Sequence, residues 1–345
     1  MMRLAITGCG GVGKALINLL DNRRGALAAE GLDIQVNYVL EYYGGIYNKD
    51  GIDLSALFEF VQNEKDITKF DGGSKDITID TVVENGDVDL AVIMTPTNKE
   101  TGEPGLSYIR KLLQADIHVV TSDKGPVLVA YDELAATAKE RGLQLGVGCT
   151  TGGALPSVNG GMMDMAGADI SSIEGVLNGT TNFILKDMEE NDVTYEEALK
   201  KAQAAGIAET NPTLDVEGFD TATKLLILTR LHMGIKKSLA DMEITGITKL
   251  TRDDIAKALS SGRKYRLVGR TSVGEDGSVT MKVAPEMVGP DSPFYGVEGK
   301  NKAVRYTSDT LGDLFVMGGA SGTTPAAASI LRDIVNIHRG YRFIR

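Results

Sequence analysis

Leu4–Ala5–Ile6–Thr7–Gly8–Cys9–Gly10–Gly11–Val12–Gly13 decides the architecture of the first part of this chain. A short apolar run of strand character enters a glycine-rich turn, and Val12–Leu20 continues with helical spacing. Gly8, Gly10 and Gly13 fill the pattern G-x-G-x-x-G. The first glycine makes the tight turn, the second lets backbone approach a pyrophosphate, and the third lets helix pack on strand. The helix N-terminus then receives the anion. In this strand–turn–helix setting, Gly8, Gly10, Gly11, Val12 and Gly13 are expected to bind a dinucleotide. A purely structural turn is the alternative that the motif alone leaves open.

Outward from the motif, Ile34–Leu40, Leu90–Met94, His118–Thr121 and Leu143–Val147 read as buried parallel strands. Helical stretches lie between them at Leu54–Val61, Gly105–Gln114 and Tyr131–Arg141. Such alternation implies right-handed crossovers and a doubly wound sheet. The texture changes near Thr151. Ser172–Leu177 reads as a strand and Thr180–Glu190 as a helix. Thr194 and Glu197 form a capping box for Tyr195–Ala205, and a long helix spans about Gly218 to Met233. Tyr265–Val273 and Ser278–Val283 flank the turn Gly274–Glu275–Asp276–Gly277. Ala303–Thr307 and Asp313–Val316 are further strands, and Thr324–Ile337 is an amphipathic helix.

The chain has 345 residues, 42% hydrophobic and 24% charged, with a net charge of −11. That acidity excludes nucleic acid and anionic membrane as main partners. No run reaches the roughly 18 to 20 apolar residues that cross a bilayer, and the N-terminus lacks the form of a secretory signal. Two cysteines exclude a disulfide framework and suit a reducing compartment, so the cytoplasm is the expected location.

Several residues stand where ligands of such sheets bind. Glu41 follows the second strand and is placed for ribose hydroxyls, where its charge would repel a 2′-phosphate and favour NAD. Arg23, Arg24 or Lys49 would reverse that preference, and a solvated Glu41 is the plainer alternative. Thr95 and Pro96 end one strand and Lys124 follows another. The densest cluster is Gly206–Lys224. Asp220 and Lys224 share a helix face at i and i+4, and Glu209, Asp215 and Glu217 sit on the loop before it. From spacing alone this is either chemistry or acidic decoration with one weak surface ion pair.

Ser122–Asp123–Lys124–Gly125–Pro126, Thr151–Gly152–Gly153–Ala154–Leu155–Pro156, Asn178–Gly179–Thr180–Thr181–Asn182–Phe183, the loop with Asp220 and Lys224, and Gly318–Gly319–Ala320–Ser321–Gly322 add a further layer. With the N-terminal glycines they make the chain resemble homoserine dehydrogenase nearly from end to end. The resemblance implies NAD(P)-dependent interconversion of L-aspartate 4-semialdehyde and L-homoserine, in threonine and methionine biosynthesis. Lys124, Lys224 and Asp220 match the family's catalytic positions. Glu209, Asp215, Thr180 and Gly179 match its substrate positions. Cofactor contacts then fall to the glycine loop, Glu41, Thr95, Pro96 and Lys124, with a slight preference for NAD. The implied architecture is α/β, a Rossmann-type doubly wound parallel sheet formed by 1–150 plus 319–345. A second α/β, mixed-sheet domain for substrate binding and dimerisation covers 151–318. A homodimer follows from the same resemblance.

Two departures qualify it. A carboxylate that helps form the family's monovalent cation site is replaced by Gly148, so no strong metal site is expected. The chain stops at Arg345, so feedback inhibition through an added sensing domain is not expected. Two rivals remain. A semialdehyde dehydrogenase with Cys149 as nucleophile needs a nearby base, and His118, His232 and His338 share no motif with Cys149. A silent cofactor-binding sensor has no need of both lysines, Asp220 and Glu209.

Overall fold

The computed structural model describes residues 1–344, and contacts divide the chain into two compact units. One comprises Met1–Thr150 and the segment from Gly322, and the other comprises Thr151–Ser321. The division falls after Ser321 rather than at the expected 318/319, and Arg345 lies outside the described residues.

The first unit runs β1 (Met2–Thr7), α1 (Gly11–Ala29), β2 (Ile34–Glu41), β3 (Gly44–Tyr47), α2 (Leu54–Asn63), β4 (Gly73–Ser74) and α3 (Ile79–Asn85). It continues with β5 (Leu90–Ile93), α4 (Gly105–Gln114), β6 (His118–Thr121), α5 (Lys124–Glu140) and β7 (Leu145–Gly146). The short α6 (Cys149–Gly152) stands at the boundary. The second unit holds α7 (Ser157–Met163), β8 (Ile170–Val176), α8 (Gly179–Asn191), α9 (Tyr195–Ala204), α10 (Thr213–Val216) and α11 (Phe219–Met233). After them come β9 (Glu243–Ile244), α12 (Arg252–Ser260), β10 (Lys264–Val273), β11 (Val279–Val288), β12 (Lys302–Ser308) and β13 (Asp313–Gly318). Helix α13 (Thr323–His338) rejoins the first unit.

The first sheet has the order β4-β3-β2-β1-β5-β6-β7. Strands β2, β1, β5, β6 and β7 are parallel, as the uninterrupted apolar runs predict. The two strands at the β2 edge are antiparallel and were not expected, so the sheet is mixed at that end. They are short and glycine-rich, with no alternation to reveal them. Helix α1 runs to Ala29, so much of the chain between the glycine loop and Glu41 is helix. Lys124, which follows β6, is the first residue of α5. Pro126 falls in the first helical turn, where proline is tolerated, and Asp123 caps the helix. The expected Tyr131–Arg141 helix is the part of α5 beyond a kink at Ala130.

The second sheet has the order β13-β12-β8-β10-β11-β9, antiparallel except where β9 meets β11. The expected Ser278 strand extends to Val288. Thr194 and Glu197 make the capping box foreseen at α9. Helices α3, α7 and α12 are additions.

Candidate active site

In the first sheet β1 lies between β2 and β5, so the chain leaves it in opposite directions at a topological switch point. The glycine loop occupies that point. Gly8 has φ +97°, and a Cβ there would meet the Met94 carbonyl oxygen at 2.7 Å. At Gly13 a Cβ would stand 2.1 Å from the Gly8 carbonyl oxygen. Around Gly10, by contrast, nothing lies within 4 Å of the Cβ position. Gly10 is the N-cap of α1 and offers no side chain to its amides. A tight loop, an open approach at Gly10 and uncapped N–H groups fit a pyrophosphate. Glu41 ends β2, where its Oε1 accepts from the Cys9 amide at 2.5 Å. It is tied to the loop, so the plainer alternative of a solvated side chain is set aside. Burial, reinforced by the Glu41 charge, pushes the Cys9 thiol up to about 11.

The adjoining strand ends are linked. The Thr95 hydroxyl donates to Asp123 Oδ2 at 2.8 Å, and Asp123 Oδ1 accepts from the Gly125 amide at 2.9 Å. Asp123 is buried, and desolvation raises its carboxyl above the ordinary range. It fixes the start of α5 and therefore Lys124. Pro96 follows Thr95 on the loop beyond β5.

In the second unit, Asn178 gathers the acidic residues. Its Oδ1 caps α8 by accepting from the Thr181 amide at 2.9 Å. Its Nδ2 donates to Asp215 Oδ1 at 2.7 Å and to Asp220 Oδ2 at 2.9 Å. Asp220 lies in the first turn of α11, and Lys224 Nζ approaches its Oδ2 to 2.6 Å. The same ammonium donates to the Leu177 carbonyl at 2.8 Å. Lys224 and Asp220 side chains are only 14% and 11% exposed, so this is no surface ion pair. Gly179 opens α8, and the Thr180 hydroxyl donates to the Ile207 carbonyl at 3.2 Å. Glu209 stands apart on an exposed loop, where its carbonyl accepts from Gln203 at 3.2 Å. Sequence reasoning quoted Asn178 without giving it a task. Its signal was an N-cap residue at the end of a strand.

The Cys149 alternative finds no support in these surroundings. The buried thiol donates to the Ala326 carbonyl at 3.5 Å. His118 accepts from the Gln144 amide, and His232 packs edge-on against Tyr306. Gly148 donates its amide to Asp333. Among the described residues no group of three or more His, Cys, Asp or Glu side chains is arranged to hold a metal. Among those residues, too, no helix is long and apolar enough to cross a membrane.

A glycine-rich strand–turn–helix at the switch point of a doubly wound sheet is the arrangement in which NAD(P)-dependent oxidoreductases hold their dinucleotide. The family model of homoserine dehydrogenase matches residues 156–335. The chain is 34% identical over 337 residues to homoserine dehydrogenase of Methanocaldococcus jannaschii, covering 98% of each. It is 33% identical over 339 residues to the NAD(+)-dependent homoserine dehydrogenase of Pseudomonas canavaninivorans, covering 98% of this chain and 96% of the relative. A hyperthermophilic archaeal homoserine dehydrogenase solved in complex with NADPH superposes with a TM-score of 0.84 at 25% identity, covering 100% and 99% of the two chains. The chain belongs to the homoserine dehydrogenase family.

Proposed function

We propose that this homoserine dehydrogenase works through Lys224, Asp220 and Lys124. The observation that carries this is the Lys224 ammonium, held by the Asp220 carboxylate and the Leu177 carbonyl. A bound nicotinamide supplies the hydride for the aldehyde carbon, or accepts it from the carbinol carbon. Charge then develops on the substrate oxygen. An ammonium stabilises that oxygen and gives it a proton in reduction, and the amine takes the proton back in oxidation. Asp220 aims Lys224, while Asn178 holds Asp220 and Asp215 in register. The resemblance assigns Lys124 a second ammonium role. Glu209 and Asp215 suit the substrate ammonium, and Thr180 and Gly179 the rest of the molecule.

Gly8, Gly10, Gly11, Val12 and Gly13 would cradle the pyrophosphate, with Thr95, Pro96 and Lys124 beside them. Glu41, fixed at the end of β2, favours NAD over NADP because its carboxylate repels a 2′-phosphate. The first unit, 1–150 with the segment from Gly322, would serve as the dinucleotide domain, and the second, 151–321, as the substrate and dimerisation domain. A cytoplasmic homodimer completes the proposal. The test is absorbance at 340 nm with L-homoserine and NAD or NADP in parallel at alkaline pH. Homoserine-dependent reduction, faster with NAD, is expected. Silence there and with L-aspartate 4-semialdehyde plus NADH or NADPH, from folded, cofactor-binding protein, would overturn the activity and leave the sensor alternative.

A further inference from the structure

Homoserine and aspartate semialdehyde are zwitterions, and the residues above provide for the ammonium and the reacting oxygen. The α-carboxylate still needs a cationic or donor partner. Lys302, the first residue of β12, is the only buried lysine among the described residues, at 5% exposure. Burying an ammonium is expensive unless it meets polar or anionic groups. Its Nζ lies 3.3 Å from the Ser321 hydroxyl. It also lies 3.8 Å from the Cβ position of Gly153. The Ser321 hydroxyl is in turn 3.1 Å from the Cβ position of Gly179, the residue that opens α8 next to Asn178. A Cβ at Gly179 would crowd Ser321, whereas one at Gly153 would only touch the lysine at ordinary contact distance. Ser321 itself is exposed, and Gly153 and Gly179 are half-buried. The arrangement runs from Asp215 and Asp220 through Asn178 and Gly179 to Ser321 and Lys302, acidic at one end and cationic at the other. Both ends belong to the second unit.

We propose that Lys302, with the Ser321 hydroxyl, receives the α-carboxylate of the amino acid substrate and makes the enzyme selective for it. This rests on the homoserine activity described above. The test compares Lys302→Met with wild type on L-homoserine and on L-homoserine methyl ester, which keeps the hydroxyl and the ammonium but lacks the charged carboxylate. Lys302→Met is expected to raise KM for homoserine at least about 30-fold, with kcat within a few-fold, while kcat/KM for the ester changes less than about 3-fold. Lys302→Arg should recover part of the homoserine KM. A merely structural lysine would depress both substrates together. Equal losses on both substrates, or an unchanged homoserine KM, overturn the proposal. If Lys302→Met does not fold, exposed Ser321→Ala serves, with an expected rise in homoserine KM of about 3- to 10-fold and no change for the ester. An unchanged Ser321→Ala selectivity then counts against it. Wild-type protein inactive on homoserine would instead refute the activity itself, a separate result.

Discussion

Gly13→Ala adds one methyl group where the glycine loop has no room for it. The new Cβ would stand 2.1 Å from the Gly8 carbonyl oxygen and 3.0 Å from its carbon. Reaching ordinary contact at 3.4 Å requires about 1.3 Å of movement. The obstruction is backbone, so no side chain can turn away. Nor is Gly8 free to retreat, because its own α-carbon faces the Met94 carbonyl, with a Cβ position only 2.7 Å from that oxygen. Overpacking of this kind costs about 1–3 kcal/mol in stability, and part of the relief falls on the amides meant for the pyrophosphate. We expect cofactor affinity to fall at least about tenfold, or ~1.4 kcal/mol. Calorimetric titration with NAD is the appropriate assay, since the chain has no tryptophan for intrinsic fluorescence. Gly25→Ala, in the same helix with nothing within 4 Å, is the control. It should bind cofactor normally and gain roughly 0.5–1 kcal/mol of stability. Wild-type cofactor affinity in folded Gly13→Ala would refute the reasoning.

Lys224→Ala should keep cofactor affinity while lowering turnover at least about 100-fold, and near-normal turnover would remove Lys224 from the chemistry. Arg266 is 1% exposed and 2.9 Å from Glu189, whose carboxyl is raised by burial. Arg266→Met should cost about 3–5 kcal/mol in urea unfolding by stranding that carboxylate, and adding Glu189→Leu should restore most of it. Arg3 donates to Asp89, and that hydrogen bond holds the Asp89 carboxyl below its usual range. A depressed folded pKa stabilises above the unfolded value and is lost as pH falls. The half-exposed pair is worth at most about 1 kcal/mol, so Asp89→Asn should lower Tm slightly at pH 7, and the difference should shrink below about pH 4. A Tm difference that grows on acidification would contradict this.

What was legible in the sequence was whatever a local pattern encodes. His118–Thr121 and Gly105–Gln114 appear with the bounds read from apolar spacing, because packing on both faces of a parallel sheet leaves little choice. The glycine loop was legible because its sterics are local. By contrast, β3 and β4 pair through backbone groups of glycine-rich segments, and nothing in their side chains advertises it. Lys124 was legible only as the residue that follows a strand, because the helix it opens is decided by the cap of the buried Asp123. In the candidate site, Asp220 and Lys224 were visible as a helical pair. Their burial, and the clamp of Asn178 across to Asp215, depend on where β8 ends relative to α11. No spacing rule reports a distance between residues 42 positions apart.

The hydrogen bond from the Gly148 amide to Asp333 spans 185 residues, and its acceptor is 0% exposed. Ile330, Ile334 and Ala327 of the same helix are equally covered. The first unit is thus translated in two instalments. At ordinary synthesis rates of roughly 5–20 residues per second, about 10–40 s separate Gly148 from its acceptor. During that interval all seven strands of the sheet exist without the helix that packs against β6 and β7. Pausing the ribosome before α13 would lengthen that state, and early truncation would make it permanent.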